Sequence, residues 1–315
     1  MTTQQRPMDT VTGGVQAHLP PDAATAVLQA ADARAWRGVL PTLLFCDSGS
    51  LEVLLNWLVA ADRHGHADPI ICALDDTLHD RLDGGGFTSV RVPWAGGLVT
   101  RWLLRLKVMQ VLLDHGYHVL HTDPNAVWIN DPLPEIDALD DCDLVASQGT
   151  ARPPDALATM GVVVCCGFLV LRAGAASCEL IGDVIAELRQ GPPDDQVAFN
   201  RVLVARGMMW DLSHPYGTMT VHGRRVPIFD RTVRGSDHSG LRAALLAQTR
   251  YQRVRMDRPA VVANHLAPWD AGATREQLAA SGCLYLRPDW RDVDISRTGL
   301  RRLAAVPGAG TMRPY

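Results

Sequence analysis

Short apolar runs alternate with longer amphipathic stretches between residues 40 and 122, and this alternation restricts the fold more than any other feature. Strands are predicted over 40–46, 70–74, 89–92 and 117–120, with helices over 51–64, 77–82 and 98–115 between them. Neighbouring parallel strands need a crossover connection, which is usually a helix and almost always right-handed. The pattern therefore predicts an α/β fold with a mostly parallel central sheet flanked by helices.

Polar side chains follow three of these predicted strands at the point where each strand ends. Asp47 and Ser48 follow the first strand, Asp75 follows the second, and Asp123 follows the fourth. Open α/β sheets bind ligands outside the carboxyl ends of their strands. We therefore expect these side chains at the edge of the sheet that holds the functional site.

A carboxylate and an amide oxygen stand two residues apart in Asp123 and Asn125, on either side of Pro124. Proline lacks a backbone donor, so Pro124 terminates the preceding strand. Hard divalent cations prefer oxygen ligands, and a cation held by this pair would neutralise a pyrophosphate. The same three residues are also ordinary turn formers. Both interpretations stay open on these residues alone.

Lys107 is the only lysine among 30 basic residues, and it lies in the predicted helix before the fourth strand. A compact ammonium that contacts a phosphate is one role that a guanidinium fills less well. The alternative is drift in an arginine-rich composition that has left a single lysine. We consider both.

Composition excludes several classes of protein. The 315 residues are 47% apolar and 20% charged, with a formal net charge of −4 and no basic block, which disfavours a nucleic-acid partner. Seven irregularly spaced cysteines fit neither a zinc site nor a disulfide framework, and we interpret them as reduced thiols of a cytoplasmic protein. We find no signal-peptide pattern and no 18-residue apolar run, so we expect no membrane span. The sequence makes no prediction about oligomeric state.

The second half of the chain continues the pattern less regularly. Strands are predicted over 143–146, 161–171 (the most β-rich run, expected to be central) and 261–263, and helices over 175–189, 194–205, 241–250 and 274–280. The rest of 207–260 is predicted to be irregular, and Thr274 is expected to cap the last helix. We predict a polar segment with a short helix over 1–37, one domain over 38–290, and a basic, peripheral tail over 291–315.

A set of short motifs in a fixed order resembles the nucleotide-diphospho-sugar transferase family that includes plant cell-wall xylosyl- and arabinosyltransferases. The matching residues are Asn56-Trp57-Leu58, Ala73-Leu74-Asp75, Lys107, Leu112–Tyr117, Thr122–Pro132, Gly167-Phe168, Asp195-Gln196, Phe199-Asn200 and His265. They cover most of residues 40 to 287. No single motif is specific, but the ordered set is.

The resemblance implies a GT-A-like fold, a nucleotide-sugar donor, with UDP favoured, a hydroxyl-bearing acceptor, and retention of configuration at the transferred sugar. It places the family's Asp-x-Asp motif on Asp123 and Asn125, with His265 as a third ligand of Mn²⁺ or Mg²⁺. The sequence departs from the family where Asn125 replaces the second aspartate, because a neutral amide binds a dication less strongly. The cysteines Cys165 and Cys166 also stand where the family often carries a polar residue.

The resemblance also assigns roles, each beside a structural alternative. Asp195 and Gln196 would contact the donor sugar, although Asp195 also suits the positive end of a helix dipole. Asp75 would contact the ribose or base, although it could cap the next helix, for which Asp76 is the better candidate. Asp47 and Ser48 would lie beside the base or form a simple turn. His265 has a plain loop position as its alternative.

Three functions are weighed. The first is a retaining glycosyltransferase, in a chain whose Ala-, Arg- and Gly-rich composition is typical of bacteria. The second is a sugar nucleotidyltransferase, which the short, acidic segment Asp47–Ser50 disfavours because that class needs a glycine-rich phosphate loop. The third is a degenerate relative that binds nucleotide or sugar without turnover, which Asn125 favours.

Overall fold

A computed structural model describes residues 17–35, 40–66, 68–192, 194–253, 256, 259–264 and 271–305. The strands are β1 Thr42–Cys46, β2 Ile70–Ala73, β3 Ser89–Arg91, β4 Val119–Thr122, β5 Ala126–Trp128, β6 Leu144–Gln148, β7 Val164–Leu171, β8 Met209–Trp210, β9 Gly217–Val221, β10 Arg224–Ile228, β11 Val233–Ser236, β12 Arg242–Leu246, β13 Tyr251–Gln252 and β14 Val262–Asn264. The helices are α1 Pro21–Ala35, α2 Leu51–Asp62, α3 Asp76–Gly84, α4 Leu98–Asp114, α5 Leu133–Asp137, α6 Pro154–Met160, α7 Ala175–Arg189, α8 Asp195–Ala205, α9 Ala271–Ala280 and α10 Leu300–Leu303.

Nine of the described strands form one sheet in the order β3-β2-β1-β4-β7-β6-β12-β11-β8. The pairs β3–β2, β2–β1 and β1–β4 are parallel, as is β6–β12. The strands β7 and β11 run antiparallel to their neighbours. Seven of the nine strands therefore point the same way, and the predicted α/β class is confirmed. The predicted central position of β7 is also confirmed.

Helices cover both faces of the sheet because each strand of its centre is apolar on both sides. One face buries side chains of α1, α4 and α7, such as Val27, Trp102 and Leu180. The other face buries side chains of α2 and β5, among them Trp57 and Trp128, whose ring centroids lie 5.1 Å apart. Both tryptophans are fully buried.

A second sheet holds the chain in place after Pro124, where β5 begins. Here β5 pairs with β14 in antiparallel fashion, with Asn264 opposite Ala126, and β13 pairs with β14. The backbone N–H of Ala126 donates to the carbonyl of Asp123 at 2.9 Å, which closes a turn over residues 123–126. The N–H of Asp123 donates to the carbonyl of Gly167 on β7 at 2.8 Å. The turn is therefore held by the main sheet before it and by the small sheet after it.

The predictions for residues 207–260 are wrong. The segment contains β8 to β13, and the predicted helix over 241–250 is the strand β12, which lies between β6 and β11. The run of Ala and Leu around Ala243 favours a helix by intrinsic propensity. Burial between two neighbouring strands overrides that preference, as tertiary context often does.

Two predictions for the end of the chain are also wrong. Helix α9 begins at Ala271, so Thr274 lies inside it and is not its N-cap. The tail over 291–315 is not peripheral as far as residue 305, because Ile295, Leu300 and Leu303 are buried in the core that α2 also lines. Apolar side chains spaced among the arginines anchor this segment, and residues 306–315 lie outside the described part.

Candidate active site

The carboxyl ends of β2, β1 and β4 lie side by side and carry Asp75, Asp47 and Asp123. These side chains follow adjacent parallel strands, so they share one edge of the sheet. The backbone N–H of Ser48 donates to Oδ2 of Asp75 at 2.7 Å, which links the loop after β1 to the loop after β2. We call this edge, with the helix ends that face it, the rim.

Asp75 is the N-cap of α3, because its Oδ1 accepts a hydrogen bond from the N–H of Leu78 at 2.8 Å. Burial acts to raise the pKa of Asp75, but the hydrogen bonds from Ser48 and Leu78 outweigh it, so the net pKa is lowered. The expectation that Asp76 is the better cap is wrong. Asp76 forms an exposed ion pair with Arg91 instead, with Nη2 and Oδ2 2.7 Å apart.

Asp47 stabilises the tight turn that follows β1. Its Oδ1 accepts hydrogen bonds from the N–H and the hydroxyl of Ser50, at 3.0 and 2.8 Å. Its other oxygen, Oδ2, lies 3.4 Å from Nη1 of Arg101 on α4. The turn interpretation of this segment is therefore correct, and the loop also contacts a cation that the sequence analysis did not single out.

Asp123 is a partly exposed carboxylate that faces two basic side chains. Its Oδ1 lies 3.1 Å from Nη1 of Arg105 and 3.2 Å from Nε2 of His121. Burial acts to raise the pKa of Asp123, but His121, Arg105 and the charge of Arg253 outweigh it and hold the pKa well below its ordinary value. Asp123 is therefore ionised throughout the neutral range.

Arg105 connects Asp123 to Asp195, which are distant in sequence. Its guanidinium forms an ion pair with Asp195 as well as with Asp123, and the side chains of Arg105 and Asp195 are only 10% and 6% exposed. Nη1 of Arg105 also lies 2.9 Å from Nε2 of His121. Burial, followed by the charge of Arg105, lowers the pKa of His121 and keeps it neutral.

Helix α8 presents Asp195 to the rim. Asp194 is the N-cap, since its Oδ1 accepts from the N–H of Val197 at 2.8 Å. Asp195 is consequently not needed as a cap, and its carboxylate turns to Arg105. Gln196 donates from Nε2 to the carbonyl of Arg152 at 2.8 Å. Asn200 bonds both backbone groups of Val164, which fixes α8 against β7.

The remaining predicted site residues are Asn125, Lys107 and His265. Asn125 is half-buried in the turn after β4. Lys107 is half-buried on α4, two residues after Arg105 and thus on another side of the helix. Burial, and then the nearby charge of Arg189, lowers the pKa of Lys107. His265 lies outside the described residues.

The sequence analysis missed Arg101 and Arg105, which face the rim from one side of α4. They are four positions apart, the spacing that places side chains on one face of a helix. That spacing, in the helix that precedes β4, was the available signal. The composition drew attention to Lys107 instead, because a single lysine is conspicuous and an arginine among many is not.

The two adjacent cysteines of β7 point to opposite faces of the sheet, as successive residues of a strand do. The thiol of Cys166 is buried, and burial raises its pKa above the ordinary value. The sulfur of Cys165 accepts a hydrogen bond from the N–H of Gly167 at 3.3 Å and also contacts the guanidinium of Arg253. At the position where the resemblance leads us to expect a polar residue, the chain therefore has thiols, one of which contacts an arginine.

Comparison with known proteins identifies a family to which the chain is similar. A family model described as nucleotide-diphospho-sugar transferase matches residues 64–233, more than half of the chain. UDP-D-xylose:L-fucose alpha-1,3-D-xylosyltransferase 3 of Arabidopsis thaliana is 25% identical over 181 residues, which are 49% of this chain and 47% of that protein. The chain therefore spans less than half the length of this relative.

Solved structures overlap with the fold in part. The bifunctional glycosyltransferase WbbM shares 11% identity and a TM-score of 0.38 over 52% of this chain and 37% of its own. The glycosyltransferase GlyE of Streptococcus pneumoniae TIGR4 shares 12% identity and a TM-score of 0.41 over 78% of this chain and 65% of its own. At these TM-scores the overlaps add nothing to the family match.

Proposed function

Because the chain belongs to the nucleotide-diphospho-sugar transferase family, we propose that it is a retaining glycosyltransferase that moves a sugar from a UDP-sugar to an acceptor hydroxyl. The observation that supports this most is the ion pair of Arg105 with both Asp123 and Asp195. It brings the strand-end carboxylate and the first residue of α8 to one place on the rim. UDP-D-xylose and L-fucose, which the name of the plant relative records, are the first donor and acceptor to test.

The three charged groups of this cluster carry one net negative charge, since one guanidinium faces two carboxylates. In glycosyl transfer the bond between the anomeric carbon and the β-phosphate oxygen breaks, and UDP leaves with the bonding electron pair. The acceptor oxygen forms the new bond to the anomeric carbon and gives up its proton, and positive charge develops on the sugar in the transition state. We assign Asp195 to the face of the anomeric carbon, where a fixed carboxylate stabilises that charge. The ion pair with Arg105 holds Asp195 in one orientation. Gln196, the next residue of α8, is assigned to the sugar hydroxyls.

A divalent cation would be held by Asp123 and Asn125, with His265 as the third ligand. The residues fit in part: Asp123 is ionised and 35% exposed, but Arg105 already lies against its Oδ1. Within the described residues no group of three His, Cys, Asp or Glu side chains could hold a metal ion. The ion, when bound, would neutralise the departing diphosphate. This partial set favours a weak metal site that is completed by the nucleotide.

The nucleoside is assigned to the other end of the rim, at the loops after β1 and β2. Asp47 and Ser48 lie there beside Asp75, and one hydrogen bond already couples the two loops. Asp75 serves as the cap of α3, which leaves its ribose contact as a second role of the same carboxylate. The proposal that Lys107 contacts a phosphate stays a prediction. The variant Lys107→Ala tests this proposal, because loss of a phosphate contact should lower the affinity for UDP.

The deciding experiment incubates the protein with UDP-xylose, UDP-glucose and UDP-galactose, with and without L-fucose and Mn²⁺. Release of UDP that accelerates with acceptor, together with an α-linked product by NMR, supports the transferase. A β-linked product would contradict retention while leaving transfer intact. Asp195→Asn serves as the variant with a lowered rate, and Asp194→Asn serves as its matched control because asparagine also caps helices.

The degenerate relative is the second candidate, and Asn125 is the observation that favours it. It predicts saturable binding of UDP without release of UDP from any UDP-sugar, with or without acceptor. The same incubations separate the two candidates, because ligand binding raises the melting temperature even where turnover is absent. The nucleotidyltransferase is disfavoured further, since Asp47 caps a tight turn over Ser48–Ser50 in place of a glycine-rich phosphate loop.

A further inference from the structure

Arg101 lies in the first turn of α4 and reaches over the rim between two loops. Its Nη1 is 3.4 Å from Oδ2 of Asp47, which follows β1. Its guanidinium carbon lies 5.7 Å from the ring centroid of Trp94, and the backbone N–H of Trp94 donates to the carbonyl of Leu74 after β2. The side chain of Arg101 is 18% exposed, so it is held in place but still accessible.

Most of the donors of Arg101 are unused in the described part of the chain. The single hydrogen bond it makes there, to Asp47, is long at 3.4 Å, although a guanidinium carries five N–H donors. The other oxygen of Asp47, Oδ1, accepts hydrogen bonds from Ser50. Asp47 and Trp94 therefore orient Arg101 but leave most of its N–H donors without a hydrogen-bond acceptor in the described part of the chain. Arg105, one turn further along, differs because two carboxylates and His121 engage it.

The position of Arg101 also conflicts with a local rule of helix stability. Cations are unfavourable in the first turn, where the helix dipole is positive, and carboxylates are favoured there. Yet the first turn of α4 has no acidic residue and carries Arg101. Residues that break such a rule tend to occur at functional sites. The helix end and the guanidinium together make this part of the rim a place suited to an anion.

We propose that Arg101 binds the diphosphate of the nucleotide donor, with Asp47 and Trp94 as positioning residues. This inference rests on the proposed function and adds a residue to it. Arginine suits the role because its planar fork matches two phosphate oxygens at once. The positive charge of Arg101 compensates for the weak metal site, in which Asn125 replaces a carboxylate. The donor is thereby held through a side chain that is one helical turn from Arg105.

The test measures binding of UDP, UMP and uridine by isothermal titration calorimetry in EDTA, which removes the metal. For wild type we expect affinity to increase from uridine to UDP. Arg101→Gln should weaken UDP binding about 10- to 100-fold, the effect of one charge-assisted hydrogen-bonding group, and leave uridine binding within about twofold. Arg101→Lys should recover part of the UDP affinity, because it restores the charge but not the fork.

Arg234→Gln is the matched control. Arg234 also pairs with an aspartate, Asp141, at 2.6 Å, but it lies on β11, far from β1 in the order of the sheet. This variant should bind UDP like wild type. Lys107→Ala, measured in parallel, separates the effect of Arg101 from that of the lysine.

The outcomes distinguish the failure of each proposal. If wild type binds neither UDP nor the diphosphates of guanosine, adenosine or thymidine, with or without Mn²⁺, the proposed function fails and this inference fails with it. If wild type binds UDP but Arg101→Gln binds it equally well, or loses uridine and UDP affinity in equal proportion, only the inference is overturned. Melting temperatures measured alongside show whether a variant is folded.

Discussion

Arg105 on α4 and Asp195 at the start of α8 form a nearly buried ion pair between residues that are 90 positions apart in the sequence. Taking two charges out of water is costly, and the cost is recovered only when each charge is paired with good geometry. Asp123 and His121 complete the surroundings of the guanidinium. The pair thus fixes α8 relative to β4, which is the relationship that defines the site.

Removal of the positive charge of Arg105 should destabilise the fold. Arg105→Met leaves Asp195 buried without its partner, so we expect a loss of about 3–5 kcal/mol in the free energy of unfolding. Urea denaturation measures it. Arg105→Met combined with Asp195→Leu should recover most of this loss, because it buries no unpaired charge. The exposed pair of Arg234 supplies the control, where Arg234→Gln should cost no more than about 1 kcal/mol. If Arg105→Met lowered the free energy of unfolding by no more than the exposed-pair control does, the buried pair would not be a major contribution to stability.

Two adjacent aspartates should respond differently to the same substitution. Asp195→Asn is expected to lower the rate of transfer about 100-fold, since it removes the fixed negative charge at the sugar. Asp194→Asn should keep the rate within about twofold, because asparagine is as good an N-cap as aspartate. Initial rates of UDP release with acceptor present give both values. Equal losses in the two variants would assign the effect to the helix end as a whole.

The pKa of Asp123 makes a specific contribution to stability against acid. Its pKa is lowered in the folded protein, so the unfolded chain takes up a proton first as the pH falls. The contribution of Asp123 is present above about pH 4, the ordinary carboxyl range, and is lost as the pH falls further. Unfolding measured at pH 6 and pH 3.5 should show a smaller decrease for Asp123→Asn than for wild type. A decrease of the same size in both would show that Asp123 is not the group responsible.

Restoring a carboxylate in the turn should strengthen the response to metal. Asn125→Asp adds a charged oxygen ligand beside Asp123, and hard dications bind carboxylates more tightly than amides. We expect Mn²⁺ to increase the UDP affinity of this variant more than that of wild type, as measured by calorimetry with Mn²⁺ and with EDTA. Asn130→Asp, which changes an exposed residue of the same segment, is the control. An unchanged metal response would argue against Asn125 as a ligand.

Much of the first half of the fold was predictable because it depends on local pattern. The helix over 98–115 and the strands around Cys46 and Ala73 follow from hydrophobic period, and the structure confirms them within a few residues. The helix over 175–189 is confirmed to the residue. The prediction failed for β12, where residues with good helix propensity are buried between two strands. There the environment, and not the local sequence, selects the conformation.

The sequence by itself determined that this chain forms an α/β sheet whose strands β1, β2 and β4 end in polar residues, because the periods of helices and strands are local and the direction of parallel strands follows from their connections. Only the tertiary structure decided which charges meet there. It joined Asp123 to Asp195 through Arg105, set Arg101 against Asp47, and gave the cap of α3 to Asp75. Such pairings depend on how distant elements pack, and hydrophobic periodicity along the chain does not encode the partner of a charge.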